Sequence, residues 1–447
     1  MIVDLYQYGM MIMNRMDVFS KFRKPIILSM CMLAHAPGQT GTARKDTLTI
    51  TLAAAEQRFL QNNLQLLASK LRIDAVKAAK VQAEVWSNPN IAFEQNIYNQ
   101  YTGKWFDVTS SGNSEIQIQQ LFLLAGKRDK QVRLADINTA VSEHAFSDML
   151  RALKMELRSD LFNIYFLQQE LSFYNESLDT LRRTVASVEL MYQKRSVLLA
   201  DVLRLKSLLL SLETERQGII NQVYGLQGDL RVLLNDTTGA VYLPLIDESR
   251  LDTVFFQHPS FDEVLKTALE HRPDYNIVKA NVDYESTNLS LQHALAVPDI
   301  TIGGRWSRAG SYIPDYYAVS LSIDLPVFNR NQGNIEISER TLEANTALLN
   351  NAALSLKEDI QGAYVKAVEI DRRYRQSDNE FIPEYKTLIE GVIANYKNRN
   401  ISMLEFTDFY ESYRTSMLQW QQLRSDRVQA FENLNYATGI DMLHTQN

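Results

Sequence analysis

A metal centre or a hydrolytic site needs His, Cys, Asp or Glu side chains brought together at short, repeated spacings. This chain of 447 residues holds 6 histidines and 1 cysteine, Cys31, scattered without such spacing. A single cysteine excludes an internal disulfide and any cysteine-built metal cluster. His258 and His271 lie close to Pro259 and Pro273 and read as surface or turn residues rather than ligands. Carboxylates such as Asp371 and Asp378 fall within long helical patterns, where most charges form a solvated face. No catalytic residue, cofactor site or metal site follows from these residues, so the expectation is not an enzyme. A net charge of -7 and a pI near 5.6 argue against a polyanion partner, because phosphate neutralisation needs clustered Lys and Arg; no nucleic acid is expected.

The elements that carry these residues are long. With 17 Gly and 10 Pro the chain has too few breakers for many compact turns. Residues 1–36 read as an export segment. Lys21, Arg23 and Lys24 precede the apolar run from Pro25 to Leu33, and Ala34-His35-Ala36 offers a signal-peptidase site. Lipoprotein processing is the competing reading, with Leu28 and Ser29 placed before Cys31 as in a lipobox. No later run reaches the roughly 20 apolar residues of a spanning helix, so none is expected in the mature chain.

Residues 48–234 read as one structural unit. Thr51 to Trp86 has the periodicity of one amphipathic helix, ended by Asn88-Pro89-Asn90. Ile91 to Tyr101 and Glu115 to Phe122 alternate between apolar and polar residues, as strands do, with a loop from Thr102 to Asn113 between them. Ala125-Gly126-Lys127-Arg128 then opens a helix whose apolar steps of three and four run to Tyr192, interrupted only by Asp160. From Lys130 that is a rod of roughly 95 Å at 1.5 Å per residue. After a break at Gln193-Lys194-Arg195-Ser196 the pattern returns from Val202 to Leu233 with Arg216 in its seam, which makes a coiled-coil hairpin. Arg216 is read as snorkelling or as pairing with an acidic residue on a neighbouring helix.

Residues 235–260 form a connector with a short strand at Ala240 to Leu243, and residues 261–439 then repeat the order. Phe261 to Ala296 is helical, Val297-Pro298-Asp299 ends it, and strands follow at Ile300 to Trp306 and Tyr316 to Val327. A joint at Leu325-Pro326-Val327-Phe328-Asn329-Arg330-Asn331-Gln332-Gly333 leads into a rod from Glu336 to Tyr396. Pro326 is expected to end the strand ladder, Gly333 to permit the bend, and Pro383 to kink the rod or mark a change of helical phase, because the seam through Ile360, Ala363, Ala367, Ile370, Tyr374 and Phe381 is shifted by one residue in Ile382, Tyr385, Ile389, Val392 and Tyr396. Tyr396-Lys397-Asn398-Arg399-Asn400 echoes Tyr192-Gln193-Lys194-Arg195-Ser196. Ser402 and Glu405 have capping-box spacing ahead of a final helix, in which Phe406, Phe409 and Tyr413 take the heptad positions of Val202, Leu205 and Leu209. Residues 440–447 are a tail. Trp306, Tyr316 and Tyr317 suit a membrane interface, while Trp86 and Trp420 read as packing residues.

Each unit thus has only two strands, each with one apolar face and each long enough to cross a bilayer when tilted. Three copies would supply twelve strands and leave no free edge. A soluble coiled-coil scaffold, periplasmic or surface-attached, with the hairpins as caps, is the alternative.

The duplicated arrangement, with Leu325-Pro326-Val327-Phe328-Asn329-Arg330-Asn331-Gln332-Gly333, resembles the outer-membrane efflux proteins of the TolC family. Ala125-Gly126-Lys127-Arg128 and the Asn-Arg-Asn-Gln-Gly run are most similar to its heavy-metal, CzcC-like branch. The resemblance implies a mainly α fold with β: long coiled-coil hairpins and four transmembrane strands per chain, forming a trimeric 12-stranded barrel continued by a periplasmic helical tunnel. It implies an exit duct in the outer membrane of a Gram-negative bacterium that passively exports metal cations or small toxic compounds. Its partners would be an inner-membrane efflux pump, a periplasmic adaptor protein and outer-membrane lipid. Some carboxylates could ring the tunnel's closed end. Adaptor contact would fall at the hairpin turns, around Tyr192, Arg195, Tyr396 and Arg399; the family usually has glycine about three residues after the tyrosine, where this chain has the two arginines.

Overall fold

A computed structural model describes residues 47–247, 260–309, 315–377 and 381–441, all within one compact unit, Lys45–Asn447. The export segment, Cys31, His258, Asp378, residues 248–259 of the connector and the tail beyond Asp441 lie outside the described residues. The chain runs β1 (Thr47–Ile50), α1 (Leu52–Asn62), α2 (Leu64–Glu84), β2 (Asn90–Gln95), β3 (Tyr98–Asn99), β4 (Lys104–Trp105), β5 (Asn113–Phe122), α3 (Lys127–Gln193), α4 (Leu199–Leu233) and β6 (Val241–Pro244). It continues with α5 (Phe261–His271), α6 (Pro273–Leu295), β7 (Ile300–Ala309), β8 (Tyr316–Ile323), α7 (Gln332–Gln376), α8 (Phe381–Lys397) and α9 (Met403–Thr438). No helix among the described residues is long and apolar enough to cross a membrane.

The helix expected over Thr51 to Trp86 is two helices. Asn63 is extended, and its Oδ1 accepts from the amides of Gln65 and Leu66, which caps α2, while its Nδ2 donates to the Leu233 carbonyl at 3.0 Å. The helix expected over Phe261 to Ala296 breaks in the same way. Pro273 at the first position of α6 forces the preceding Arg272 out of helical conformation. In both cases the apolar period runs through the break, so periodicity alone does not reveal it. The connector strand pairs in parallel with β1, a strand too short for alternation to mark. The Gln227 side chain closes the edge of β6: its Nε2 donates to the Tyr242 carbonyl at 2.6 Å and its Oε1 accepts from the Tyr242 amide at 2.9 Å.

The first long helix, α3, is continuous for 67 residues, about 100 Å. Its counterpart is not. α7 ends at Gln376, Ser377 is extended, and α8 begins at Phe381, so the change of helical phase is a break between two helices and not a kink at Pro383. Pro383 occupies the first turn of α8, where a backbone amide has no helical partner and proline costs nothing.

Among the described residues three apolar clusters hold the bundle. One joins α1, α2, α3, α4 and β6 through Phe59, Leu157, Ile164, Leu230 and Tyr242. A second joins both hairpins through Val188, Val202, Leu205, Tyr396, Met403 and Phe406, and a third joins α5, α7 and α9 through Val264, Ile360 and Leu434. Each fully buried Leu or Phe contributes about 1.5–3 kcal/mol. The seam on α9 runs through Phe406, Tyr410 and Tyr413; Phe409 stands at the surface instead. Arg216 pairs with an amide, not an acid: its Nε donates to Asn175 Oδ1 at 2.6 Å.

Charge is buried as well. Asp371 on α7 is 1% exposed and Arg427 on α9 is 3% exposed. Asp371 Oδ1 accepts from Arg427 Nε at 2.7 Å and Oδ2 from Arg375 Nε at 2.7 Å, while the Arg427 guanidinium lies 4.4 Å from the Tyr374 ring centre. Asp371 is therefore a structural anchor within the protomer. Replacing one partner of such a buried pair strands the other charge, at a cost of about 3–5 kcal/mol, whereas an apolar replacement of both is close to neutral. Asp371→Ala should therefore lower the unfolding midpoint far more than the double variant Asp371→Leu/Arg427→Met, as thermal or denaturant unfolding will read.

Candidate functional site

The largest sheet has the order β2-β5-β7-β8 and is antiparallel throughout. Its register sorts side chains onto two faces, because directly paired residues share a face. One face carries the rows Ile91–Ile118–Gly304–Val319, Phe93–Ile116–Trp306–Tyr317, Gln120–Ile302–Leu321 and Phe122–Ile300–Ile323. The other carries Asn90–Gln119–Gly303–Ser320, Ala92–Gln117–Arg305–Ala318 and Glu94–Glu115–Ser307–Tyr316. The apolar rows are uncovered; Val319 is 86% exposed and Tyr317 76%. On the polar face Arg305 lies 3.6 Å from Glu115. Strands approach closely at Gly303, where a Cβ would stand 2.5 Å from Ser320 Oγ. Among the described residues β2 and β8 each pair on one side only, so two edges are open.

The expected interface aromatics separate on these faces. Trp306 and Tyr317 pair on the apolar face. Tyr316 does not join them: it lies on the polar face beside Ser307, with the Arg305 guanidinium 5.6 Å from its ring centre. Trp86 is not a packing residue; it is 60% exposed beneath the Arg128 guanidinium. Trp420 is packed, stacked on Tyr374 at 5.4 Å.

Two joints pass the chain from strand to helix. At the first, Gly126 is left-handed with φ 66° and caps α3. Beside it the buried Lys127 donates from Nζ to Asp299 Oδ1 at 2.6 Å and to the Val297 carbonyl at 2.7 Å, and the Leu124 amide donates to the same Asp299 oxygen. This clamp ties the first joint to the start of β7. Nothing in the spacing of Lys127 and Asp299 announces it.

At the second joint the bend falls on Asn331, with φ 59°, and not on Gly333. Asn331 Nδ2 donates to the Gln292 carbonyl at 2.8 Å, and its amide donates to Asn329 Oδ1 at 3.0 Å. Gly333 is already the second residue of α7, and a Cβ there would meet open space. Pro326 does not end the ladder either. β8 stops at Ile323 because its partner strand begins at Ile300. Asparagine tolerates the left-handed region, so the Asn-Arg-Asn run is the signal that could have located the bend.

At the far ends of the helices the chain turns twice in the same way. Arg195 has φ 57° and Arg399 φ 63°. In the first turn the Arg195 amide donates to the Tyr192 carbonyl at 2.8 Å and Ser196 to Met191 at 2.9 Å. In the second, Arg399 donates to Tyr396 at 3.0 Å and Asn400 to Asn395 at 2.9 Å. Both are Schellman closures, whose left-handed position glycine fills most readily. The second tyrosine, Tyr396, is buried and stacked on Phe406, whereas Tyr192 is exposed.

Between the joints and the turns, Asp160 is buried on α3 and its Oδ2 has no hydrogen-bond partner. Burial, reinforced by Glu156 and Asp229, pushes its carboxyl up to about 7. Arg158, two residues earlier, is satisfied by Glu56 at 2.5 Å, Glu432 at 3.1 Å and Asp441 at 3.0 Å. Among the described residues no group of three or more His, Cys, Asp or Glu is placed to hold a metal ion.

Residues 264–440 match the model of the family described as outer membrane efflux protein. The cobalt-zinc-cadmium resistance protein CzcC of Cupriavidus metallidurans is 20% identical over 308 residues, which is 68% of this chain and 70% of that protein. Among solved structures, the CusC channel superposes with a TM-score of 0.70 at 16% identity, covering 89% of this chain and 94% of CusC. The CmeC outer-membrane channel of Campylobacter jejuni gives 0.70 at 13% identity, covering 89% and 87%.

Two outcomes test this geometry. A raised carboxyl pKa makes the Asp160 contribution fully present below the ordinary carboxyl range and lost as pH rises through about 7. The unfolding midpoint should fall between pH 5 and 7.5, and Asp160→Asn should flatten that slope. Replacing Arg195 and Arg399 by Gly should relieve the left-handed strain and raise stability by about 0.5–1 kcal/mol per site, measured by thermal unfolding.

Proposed function

We propose that this chain, an outer-membrane efflux protein, is one of three identical protomers of the exit duct of a tripartite export system. The observation that carries the reading is the two-faced sheet with two open edges. In lipid every backbone donor and acceptor needs a partner, so an open edge is tolerated only if another strand closes it. Pairing β8 of one copy with β2 of the next joins three 4-stranded sheets into a barrel, apolar outside and polar within. The helices continue from the joints as a periplasmic tunnel, and the two turns at their far ends meet a periplasmic adaptor and, through it, an inner-membrane pump. Trp306 and Tyr317 stand at the membrane interface.

The cargo is a metal cation or a small toxic compound, and the likeness to CzcC favours metal. Glu94 and Glu115, directly paired on the polar face, would lie in the lumen. Loss of the gene should therefore lower tolerance to cobalt, zinc or cadmium more than tolerance to organic drugs; normal metal tolerance contradicts that cargo.

The duct reading itself is tested by reconstitution. Protein extracted from the outer membrane should run as a trimer in detergent and conduct ions in a planar bilayer, and a non-conducting monomer contradicts it. The two faces of β8 should also respond differently to charge. Val319→Arg places a cation in lipid at a cost of about 2–4 kcal/mol and should abolish membrane-embedded trimer. Ser320→Arg, one residue on, should leave trimer yield nearly unchanged.

A further inference from the structure

We infer that the two helical turns form one cationic docking surface that selects an acidic segment of its periplasmic partner protein. The inference rests on the exit-duct reading, which places these turns against an adaptor, and adds the chemistry by which that partner is recognised.

The conformation is the first observation. Arg195 and Arg399 occupy the left-handed closing position of their turns, with φ 57° and 63°. Glycine would enter it without steric cost, yet the same long cationic side chain stands at both. The turn as a backbone shape does not need arginine.

Charge is the second. Lys194 and Arg195 on one turn, and Lys397 and Arg399 on the other, are all exposed, and none has an ion-pair partner among the described residues. The neighbouring carboxylates are otherwise engaged. Asp201 accepts from the Leu198 amide, Glu405 caps Ser402, and Glu189 pairs with Lys206 at 2.5 Å. A chain of net charge -7 therefore ends in turns whose four cations stand in no direct ion pair among the described residues.

The third observation is proximity. Val188, Val202 and Leu205 of the first hairpin share an apolar cluster with Tyr396, Met403 and Phe406 of the second, which packs the two ends side by side. Leu198, Leu199 and Leu404 are exposed beside the cations. Cations flanked by uncovered leucines fit a protein segment with Asp or Glu and an apolar anchor, where charge complementarity sets the partner and the approach rate. An anionic lipid surface would not need the leucines arranged around two rigid turns.

The test places a photo-crosslinking residue at Leu199 in cells that make the complete export system. Mass spectrometry should find the crosslink on an Asp- or Glu-rich segment of a periplasmic protein. The double variant Arg195→Glu/Arg399→Glu should lose that crosslink by about tenfold or more at unchanged trimer abundance, and export should fall with it. Arg195→Gly/Arg399→Gly, which keeps the turn, should lose it by only a few-fold. If the glutamate pair reduces trimer abundance, Lys194→Gln/Lys397→Gln decides, with the same direction expected. A crosslink indifferent to every charge variant overturns the electrostatic inference and leaves docking at the turns standing. Crosslinks to lipid alone, or to no protein in cells that still export, overturn both.

Discussion

Side chains on a strand alternate between faces, and backbone groups at a sheet edge need partners. The β2-β5-β7-β8 sheet meets the first condition with one apolar and one polar face and, among the described residues, leaves the second unmet at both edges. In water its rows of Ile, Phe, Val and Leu would be exposed; in lipid its edges would be unpaired. The closure with other copies proposed above would remove both costs and would couple membrane insertion to assembly. The joints exist to start helices at the ends of these strands, and the Lys127–Asp299 clamp ties the first joint to the second pair of strands.

The helical part obeys a different constraint. Long helices gain little from propensity and are held by what they bury. Here two of the apolar clusters meet on α9, where Val428 of one stands two residues from Ala430 of the other, the third lies toward the turns, and the Asp371–Arg427 pair fastens α7 to α9 near the end of α7. The two hairpins differ at one place. α3 runs unbroken to its turn, while the corresponding path in the second hairpin is interrupted after Gln376. The buried pair stands five residues before that interruption, where a helix end would otherwise fray.

Much of this was legible in the residues. Alternation at Glu115 to Phe122 and Ile300 to Trp306 marked strands and their faces, because a period of two survives any loop chemistry around it. The heptads marked the rods, and the twin Tyr-x-x-Arg turns marked their ends. What was not legible depends on single residues or on distant partners. Asn63 and Pro273 break helices whose apolar stripe continues across the break, so periodicity joined what capping separates. Glycine is the commoner left-handed residue, so Gly333 draws the expectation of the bend, although Asn331 two residues earlier holds that conformation with its own hydrogen bonds. Lys127 with Asp299, and Asp371 with Arg427, are separated too widely in the chain for any local pattern to pair them.

In the proposed duct the sheet is a membrane wall with lipid on one face and water on the other. Cysteine scanning of β8 from Tyr316 to Ile323, in the outer membrane of intact cells, separates the two faces. Positions 316, 318, 320 and 322 should react with a membrane-impermeant, water-soluble maleimide small enough to enter the duct, while 317, 319, 321 and 323 should react only with a lipid-soluble one. Aqueous labelling at all eight positions would contradict the account and leave a protein whose sheet faces water on both sides.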